Sequence, residues 1–397
     1  MTSDSGIGGL SEKIGDANQS GLDILTKFRE ANLYSRAKYI PLRPLNALSD
    51  EGPYQFMIGG RKNPDVVMLN SMRLTVKFKV VKIDGTDLSA NETISIVNTP
   101  VHSLFENIGC KLNDIPISDH ARMYHYKAFI QQMYSYSNEV KKHNLECEYF
   151  LKDAITTDTS PTIPTNLADV TPLAVRKGWI VGSKPIHATI VPYIDIMSTP
   201  HFLCPGHDLF LEFERSRSSF SLLAANDSYK IKMLDMVLWV RVLEPLPSII
   251  NSLEKYKNSG LVQYPITRNV IRTHQIHSGT SRIEINNIFR DRLPRALYVF
   301  FLENAQIVGS ISKNPFIFKH YNVMEAHITI NGFPYPSEPI RSDFSAGRID
   351  SMNAFRWFLD NVGILDNDCD IGITAEEFRS NLFMIPFDLS PRGVSIF

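Results

Sequence analysis

Alternation of apolar and polar residues is the clearest pattern in this chain. From Met72 to Val80, apolar side chains alternate with arginine, threonine and lysine. Successive side chains of a strand point to opposite faces of a sheet. The pattern therefore predicts a strand with one buried and one solvated face, which is typical of antiparallel sheets.

Further segments of similar character follow, and clusters of Pro, Gly, Asn and Asp separate them. The predicted strands are Ile186–Pro192, Leu209–Glu214, Lys230–Val242, Val270–Ile276, Arg282–Ile285, Ala296–Leu302, Ala326–Ile330 and Leu382–Phe387. The chain is thus expected to be a mainly β sandwich or barrel. Two runs, Met233 to Val242 and Ala296–Leu302, are almost continuously apolar, and we expect neighbours to cover both faces of these strands.

Helical periodicity occurs in three places. After a polar start, an amphipathic helix is expected between Ser20 and Tyr34, and its mixed charges favour packing on protein over a membrane surface. Two further helices, Tyr124–Tyr136 and Met352–Val362, each present an aromatic-rich face.

The two halves of the chain repeat one order of elements. Lys111–Ile117 and Thr329–Tyr335 each contain an Asn-Asp or Asn-Gly turn suited to a tight hairpin. Each hairpin leads to an aromatic-rich helix and later to an aromatic strand. We therefore divide the chain into an N-terminal arm (1–45), a first sandwich (46–245), a linker helix (246–260) and a second sandwich (261–397).

Composition narrows the function classes. The 397 residues include 41 Lys+Arg and 42 Asp+Glu, so the net charge of −1 gives no basic excess for strong binding of nucleic acid or anionic membrane. Four cysteines, Cys110, Cys147, Cys204 and Cys369, are far apart and predict neither a disulfide framework nor a thiolate zinc site. The polar N-terminus lacks the pattern of a secretory signal, and no apolar run approaches the roughly 18 residues of a membrane span. Synthesis in the cytosol or nucleus is expected.

Asp366 to Glu377 has features of a calcium-binding EF-hand loop. Oxygen ligands fall at the first, third, fifth and twelfth positions, but Gly372 stands at the seventh position where the loop needs glycine at the sixth. We therefore expect a solvated acidic loop in which Thr374 and Glu377 cap a helical turn.

Three other clusters invite a metal or nucleic-acid interpretation. His274 with His277, and Cys204 with His207, lack the spacing of jelly-roll metal sites, so we expect surface histidines. Lys313–Tyr321 mixes basic and aromatic residues, but a loop that enters a core strand, with Phe316 and Phe318 inward and Lys319 outward, is favoured over nucleic-acid stacking. No nucleophile, metal-protease or phosphate-loop motif is present, and we nominate no catalytic, cofactor-binding or metal residue.

Several landmark segments resemble the double jelly-roll major capsid protein, or hexon, of Polinton/Maverick elements and adintoviruses. The resemblance covers the chain from about residue 50 to the end, and its most specific parts are Lys313–Asn322 and Pro386–Pro391. The other landmarks are Gly52–Phe56, Leu69–Asn70, Leu104–Asn107 and Tyr124–Phe129.

The resemblance implies an all-β fold of two tandem antiparallel jelly rolls with helical insertions in loops. It implies a structural role in which homotrimers form pseudo-hexagonal capsomers that tile an icosahedral shell in a virion, without catalytic residues or cofactors. Partners would be further copies of the chain and a penton or minor capsid protein, with no sequence-specific nucleic acid.

One departure from the family concerns the second half. Family members continue with closing strands where this chain stops, so the second jelly roll is expected to be incomplete, through an interrupted gene copy, a mispredicted exon or a strand from another chain. Two alternatives stay open: a minor capsid or host-retained jelly-roll binding protein, and, more remotely, a metal-dependent jelly-roll enzyme.

Overall fold

The computed structural model describes residues 34–59, 65–118, 122–164, 169–260, 262–289, 293–344, 348–362 and 370–390. The helix predicted before Tyr34 and the Asp366–Cys369 part of the acidic loop lie outside these residues.

Antiparallel strands dominate the described chain, as predicted. The strands are β1 (Tyr34–Leu42), β2 (Tyr54–Gly59), β3 (Val66–Lys82), β4 (Ile94–Ile96), β5 (Phe105–Leu112), β6 (Ile115–Pro116), β7 (Ile186–Ile190), β8 (Phe202–Leu203), β9 (Asp208–Arg215), β10 (Leu222–Ala224), β11 (Tyr229–Pro245), β12 (Ala296–Val299), β13 (Glu325–Ile330), β14 (Phe333–Arg341) and β15 (Ile385–Asp388). The α-helices are α1 (Pro100–Ser103), α2 (Tyr124–Ser135), α3 (Pro172–Ile180), α4 (Ser218–Ser221), α5 (Pro247–Ser259), α6 (Asn304–Val308), α7 (Arg348–Val362) and α8 (Ala375–Ser380).

The first half is a sandwich of two sheets. Sheet 1 has the strand order β1-β11-β3-β7, with β8 also paired to β3, and sheet 2 has the order β2-β9-β5-β6. Inward side chains such as Phe78 of sheet 1 and Phe56 and Phe213 of sheet 2 are fully buried between them. The alternation seen in the sequence of β3 thus places its apolar residues in this core.

Residues 34–42, inside the predicted N-terminal arm, form strand β1 of sheet 1. Tyr39 pairs with Arg241, and Ser35 donates a hydrogen bond to the carbonyl of Glu244, 209 positions along the chain. The sequence of β1 does not alternate, so its strand character depends on pairing with β11.

The expectation that β11 is covered on both faces is wrong. Bulges between Met233 and Asp235 and between Trp239 and Arg241 shift the register against β3. As a result Leu234 and Trp239 point outward, and 37% and 36% of their surfaces are exposed. Ala296–Leu302 is likewise half-buried along its whole length, and only its first four residues form strand β12.

The second half contains two separate two-stranded ladders among the described residues, β12 with β15 and β13 with β14. The predicted strands Val270–Ile276 and Arg282–Ile285 are wrong, since neither joins a sheet. In the described part of 262–289, the one backbone–backbone hydrogen bond runs from Thr280 to His277. An extended segment becomes a strand only where a neighbour supplies hydrogen-bonding partners.

The predicted hairpins and the two aromatic-rich helices are confirmed, while the helix expected before Tyr34 lies outside the described residues. Asn113 and Asp114 adopt positive φ between β5 and β6, and Asn331 and Gly332 do so between β13 and β14. Helices α2 and α7 lie where periodicity placed them, and helix α5 lies in the predicted linker 246–260. Helix α3, which begins with Pro172 after Thr171, was not predicted.

A second apolar cluster joins the two halves. It combines Phe129 and Tyr134 of α2 with Phe316, Phe318 and Phe358 from the second half. The halves therefore share a buried core in addition to the linker helix.

Candidate functional site

The histidine clusters do not converge on a metal site. His274 and His277 are exposed in the irregular segment after the linker helix. His207 lies in a turn, with its Nδ1 2.6 Å from Nδ2 of Asn113. Among the described residues, no group of three or more His, Cys, Asp or Glu side chains could hold a metal ion.

In the described part of the acidic loop, Glu377 is occupied by structural contacts. As predicted, Thr374 caps α8: the backbone N–H of Glu377 donates to Thr374 Oγ1 (3.2 Å), and that of Thr374 donates to Glu377 Oε2 (2.8 Å). Glu377 Oε1 also lies 2.6 Å from Nζ of Lys152. Its carboxylate thus caps a helix and balances a cation.

The basic and aromatic segment 313–321 enters the core, as the structural interpretation predicted. Phe316 and Phe318 are 1% and 0% exposed. Lys319 does not point freely outward, because its Nζ lies 3.2 Å from the Glu303 carboxylate, which also holds Lys313 at 2.9 Å. One carboxylate thus pairs with both lysines, while the rings of Phe316 and Phe318 are buried in the core.

The junction between the halves is built around α2. The ring of Phe129 stacks on Phe316 at 4.4 Å between centroids and an interplanar angle of 10°. Phe316 also meets Tyr126 and Phe220 edge-on at 6.0 Å. Aromatic contacts of this kind add to the free energy of burial, so they stabilise the packing of the two halves against each other.

Polar contacts also connect the two halves at this junction, and the sequence did not predict them. The backbone N–H of Asn138 donates to the carbonyl of Asp370 (2.7 Å), and Nζ of Lys141 donates to the carbonyls of Met133 and Ile371. Burial lowers the pKa of Lys141 to about 7. Neither residue stands in a recognisable motif, so the sequence contains no signal for this role.

A buried polar network lies beside the junction. Glu148 accepts hydrogen bonds from Nε2 of Gln132 (2.7 Å) and the backbone N–H of Val191 (3.3 Å), and Nε2 of His102 lies 3.3 Å away. The side chains of His102 and Glu148 are 1% and 7% exposed. These contacts connect α1 and α2 through Glu148, and they leave Oε1 of Gln132 buried without a hydrogen-bond partner.

A depression with a volume of about 4420 Å³ lies between the second half and first-half residues such as Tyr126 and Tyr193. The irregular segment 266–289 lines one side of it, and β12 and β13 line the other. Small-molecule pockets measure roughly 300–1,000 Å³. The depression is therefore an open space between chain segments and does not have the dimensions of a substrate pocket.

No protein-family model matches the chain. It is 26% identical over 368 residues to the uncharacterized protein F54H12.2 of Caenorhabditis elegans, which covers 87% of this chain and 82% of that protein.

Among solved structures, a chain in the 3.5 Å cryo-EM structure of the Sputnik virophage is similar, with a TM-score of 0.55 and 11% identity. The similarity covers 90% of this chain and 77% of that chain. A weaker likeness to the mavirus major capsid protein has a TM-score of 0.34 and covers 53% of this chain. The first of these supports the fold: the chain has the mainly antiparallel β fold, with helical insertions, of viral double jelly-roll capsid proteins.

Proposed function

We propose that this protein is a major capsid protein, a structural subunit of the shell of a double-stranded DNA virus or virus-like transposable element. The observation that carries the proposal is the likeness of fold to the virophage chain over 90% of the present chain. Function then lies in contacts between copies, without catalytic residues or cofactors.

The proposed assembly is a homotrimer with a pseudo-hexagonal outline. Two tandem jelly rolls, divided at the linker helix 246–260, give three copies six similar lateral walls, so threefold symmetry fits sixfold packing. The aromatic contact between α2 and Phe316 supports this arrangement, because it packs the two halves of one copy together in a shared buried core. Such trimers would tile an icosahedral shell together with a penton or minor capsid protein.

The proposed source is a Polinton-like element or adintovirus. The landmark segments support this, and the Caenorhabditis elegans relative indicates that related chains are encoded in an animal genome. The same relative favours one alternative, a jelly-roll protein retained by a host for binding and no longer building shells.

No helix among the described residues is long and apolar enough to span a membrane. We place synthesis in the cytosol or nucleus and the mature protein in the virion capsid.

The test is the state of association of the purified full chain. Analytical ultracentrifugation should show trimers that form as concentration rises, and negative-stain electron microscopy should show ring-shaped particles with a hexagonal outline. A chain that stays monomeric at every concentration, with no such particles, would overturn the capsid proposal and favour the host-retained binding protein. Stoichiometric iron or zinc in the purified protein would instead indicate the metal-dependent enzyme.

A further inference from the structure

Three consecutive backbone carbonyls of the second half, those of residues 370–372, accept hydrogen bonds from the first half. In chain order, their donors are the backbone N–H of Asn138 (2.7 Å), Nζ of Lys141 (2.7 Å) and Nζ of Lys152. We call these three contacts the carbonyl clamp. They hold one short segment of the second half against the chain that follows α2.

The clamped segment fits closely against the first half. Ile371 and Ile373 are 4% and 5% exposed and belong to the apolar cluster that joins the halves. Between them, Gly372 lies so near that an added Cβ would be 2.4 Å from Oδ1 of Asn138. Helix α8 begins shortly afterwards, at the Thr374 cap. The clamp therefore connects the end of α2 to the start of α8.

The two lysines of the clamp differ in how their charge is compensated. Nζ of Lys152 lies 2.6 Å from Oε1 of Glu377, and 27% of its side chain is exposed. Lys141 is 5% exposed, and its two acceptors are the neutral carbonyls of Met133 and Ile371. No carboxylate of the described residues forms an ion pair with it. A charge on Lys141 would thus be buried without a counter-ion in contact.

The acceptors around Lys141 match a neutral amine. An ammonium group carries three N–H donors, whereas a neutral amine has two hydrogens for the two carbonyls. The third hydrogen of an ammonium would be buried without a partner, which is costly.

The charged groups that face Lys141 are one base and two acids. Burial and the cation of Lys152 lower the pKa of Lys141 to about 7, against the opposite effect of Asp370 and Glu377. Both acids are engaged elsewhere. The Asp370 carboxylate accepts from the backbone N–H of Gly372 (2.6 Å), and Glu377 caps α8 and pairs with Lys152.

We propose that Lys141 is a pH-sensitive switch in the carbonyl clamp: its neutral amine holds residues 370–372 against the first half, and its protonation loosens them. The added proton places a second cation near Lys152 and supplies a donor that has no acceptor. Opening of the clamp lets water solvate that charge. The switch belongs to the fold of a single chain, so it does not depend on the proposed function.

The sign of the pH dependence follows from the two states of the clamp. In the open clamp Lys141 meets water, where a lysine has a pKa of about 10.4. The open state therefore binds the proton more strongly, and the closed state gains stability as pH rises from about 6 to 10. With a pKa of about 7 in the closed state, the equilibrium constant for opening should fall about tenfold between pH 6 and pH 8.

Hydrogen exchange of the Asn138 amide tests the switch, because this amide donates to the carbonyl of residue 370. After correction for the intrinsic exchange rate at each pH, its protection should rise about tenfold from pH 6 to pH 8. Lys141→Met removes the titrating group and should abolish that rise. Lys142→Met is the matched control, since Lys142 is the next residue and is 59% exposed, and it should keep the tenfold rise.

Lys141→Arg provides a further comparison. Arginine keeps hydrogen-bond donors but stays charged at both pH values, so the Asn138 amide of this variant should be as weakly protected at pH 8 as that of the unmodified protein at pH 6. The proposal is wrong if the unmodified protein shows no rise in protection, or if Lys141→Met shows the same rise.

Far-ultraviolet circular dichroism checks that each variant is folded. If the Lys141 variants do not fold, an NMR titration of the Lys141 side chain in the unmodified protein decides the question. A midpoint near pH 7 would support the switch, and one above pH 9 would overturn it. The capsid proposal is tested separately, by association between copies.

Discussion

Replacement of Phe316 by alanine should weaken the packing between the two halves of the molecule and lower the free energy of unfolding. Phe316 is 1% exposed, stacks on Phe129 at 4.4 Å and meets Tyr126 and Phe220 edge-on. Removal of a buried phenylalanine ring costs about 3–5 kcal/mol, including the cavity it leaves. Domains are commonly stable by about 5–15 kcal/mol, so this loss is a large part of the total.

The measurement is equilibrium unfolding in urea, followed by far-ultraviolet circular dichroism and by tryptophan fluorescence. Phe333→Ala is the control, because Phe333 is 76% exposed and its truncation should change stability by less than about 0.5 kcal/mol. A double-mutant cycle with Phe129→Leu should give a coupling of about 0.5–1.5 kcal/mol from the stacked rings.

We also expect the Phe316→Ala variant to be cut faster by protease in the linker helix α5, since the halves are no longer held by a filled joint. A cost below about 1 kcal/mol, or one equal to that of Phe333→Ala, would refute the shared core. The halves would then be independent units joined by the linker alone.

Two further predictions concern single positions at the junction. Burial lowers the pKa of His125 to about 3. Above about pH 6.5 the ring is therefore neutral in both the folded and the unfolded chain. Below that pH the ring binds a proton in the unfolded chain but stays neutral in the folded chain, which favours unfolding. Between about pH 7 and pH 5 the free energy of unfolding should fall by about 2 kcal/mol in the unmodified protein but not in the His125→Leu variant. Urea unfolding at each pH measures this difference. An equal fall in both proteins would contradict the assignment to His125. Gly372 has φ +65°, and an added Cβ would lie 2.4 Å from Oδ1 of Asn138. Gly372→Ala should therefore lower the midpoint of thermal unfolding. Gly85→Ala is the control, because Gly85 also has positive φ but an added Cβ would have nothing within 4 Å, and it should lower the midpoint less. The reverse order would be evidence against the close contact at Gly372.

Local patterns were sufficient for the elements whose structure depends on neighbours in sequence. The alternation of β3, the Asn-Gly turn at Asn331, the helix α2 and the Thr374 cap all follow from side-chain period, turn geometry or a reciprocal pair of hydrogen bonds. The repeated order of these elements also indicated two related halves. The resemblance carried by the landmark segments supplied the fold, which the structural comparison supports.

Pairing between segments that are distant in sequence determined the features that local patterns do not predict. Strand β1 does not alternate but pairs with β11, some 200 residues away, whereas Val270–Ile276 has strand-like composition but no partner among the described residues. The outward position of Leu234 and Trp239 became visible only with the register, because two bulges in β11 interrupt its alternation. The sequence by itself determined which segments can be extended, turned or helical, since those preferences are local. Only the tertiary structure decided which segments pair and which side chains remain exposed, since backbone hydrogen bonds and burial depend on neighbours remote in the chain.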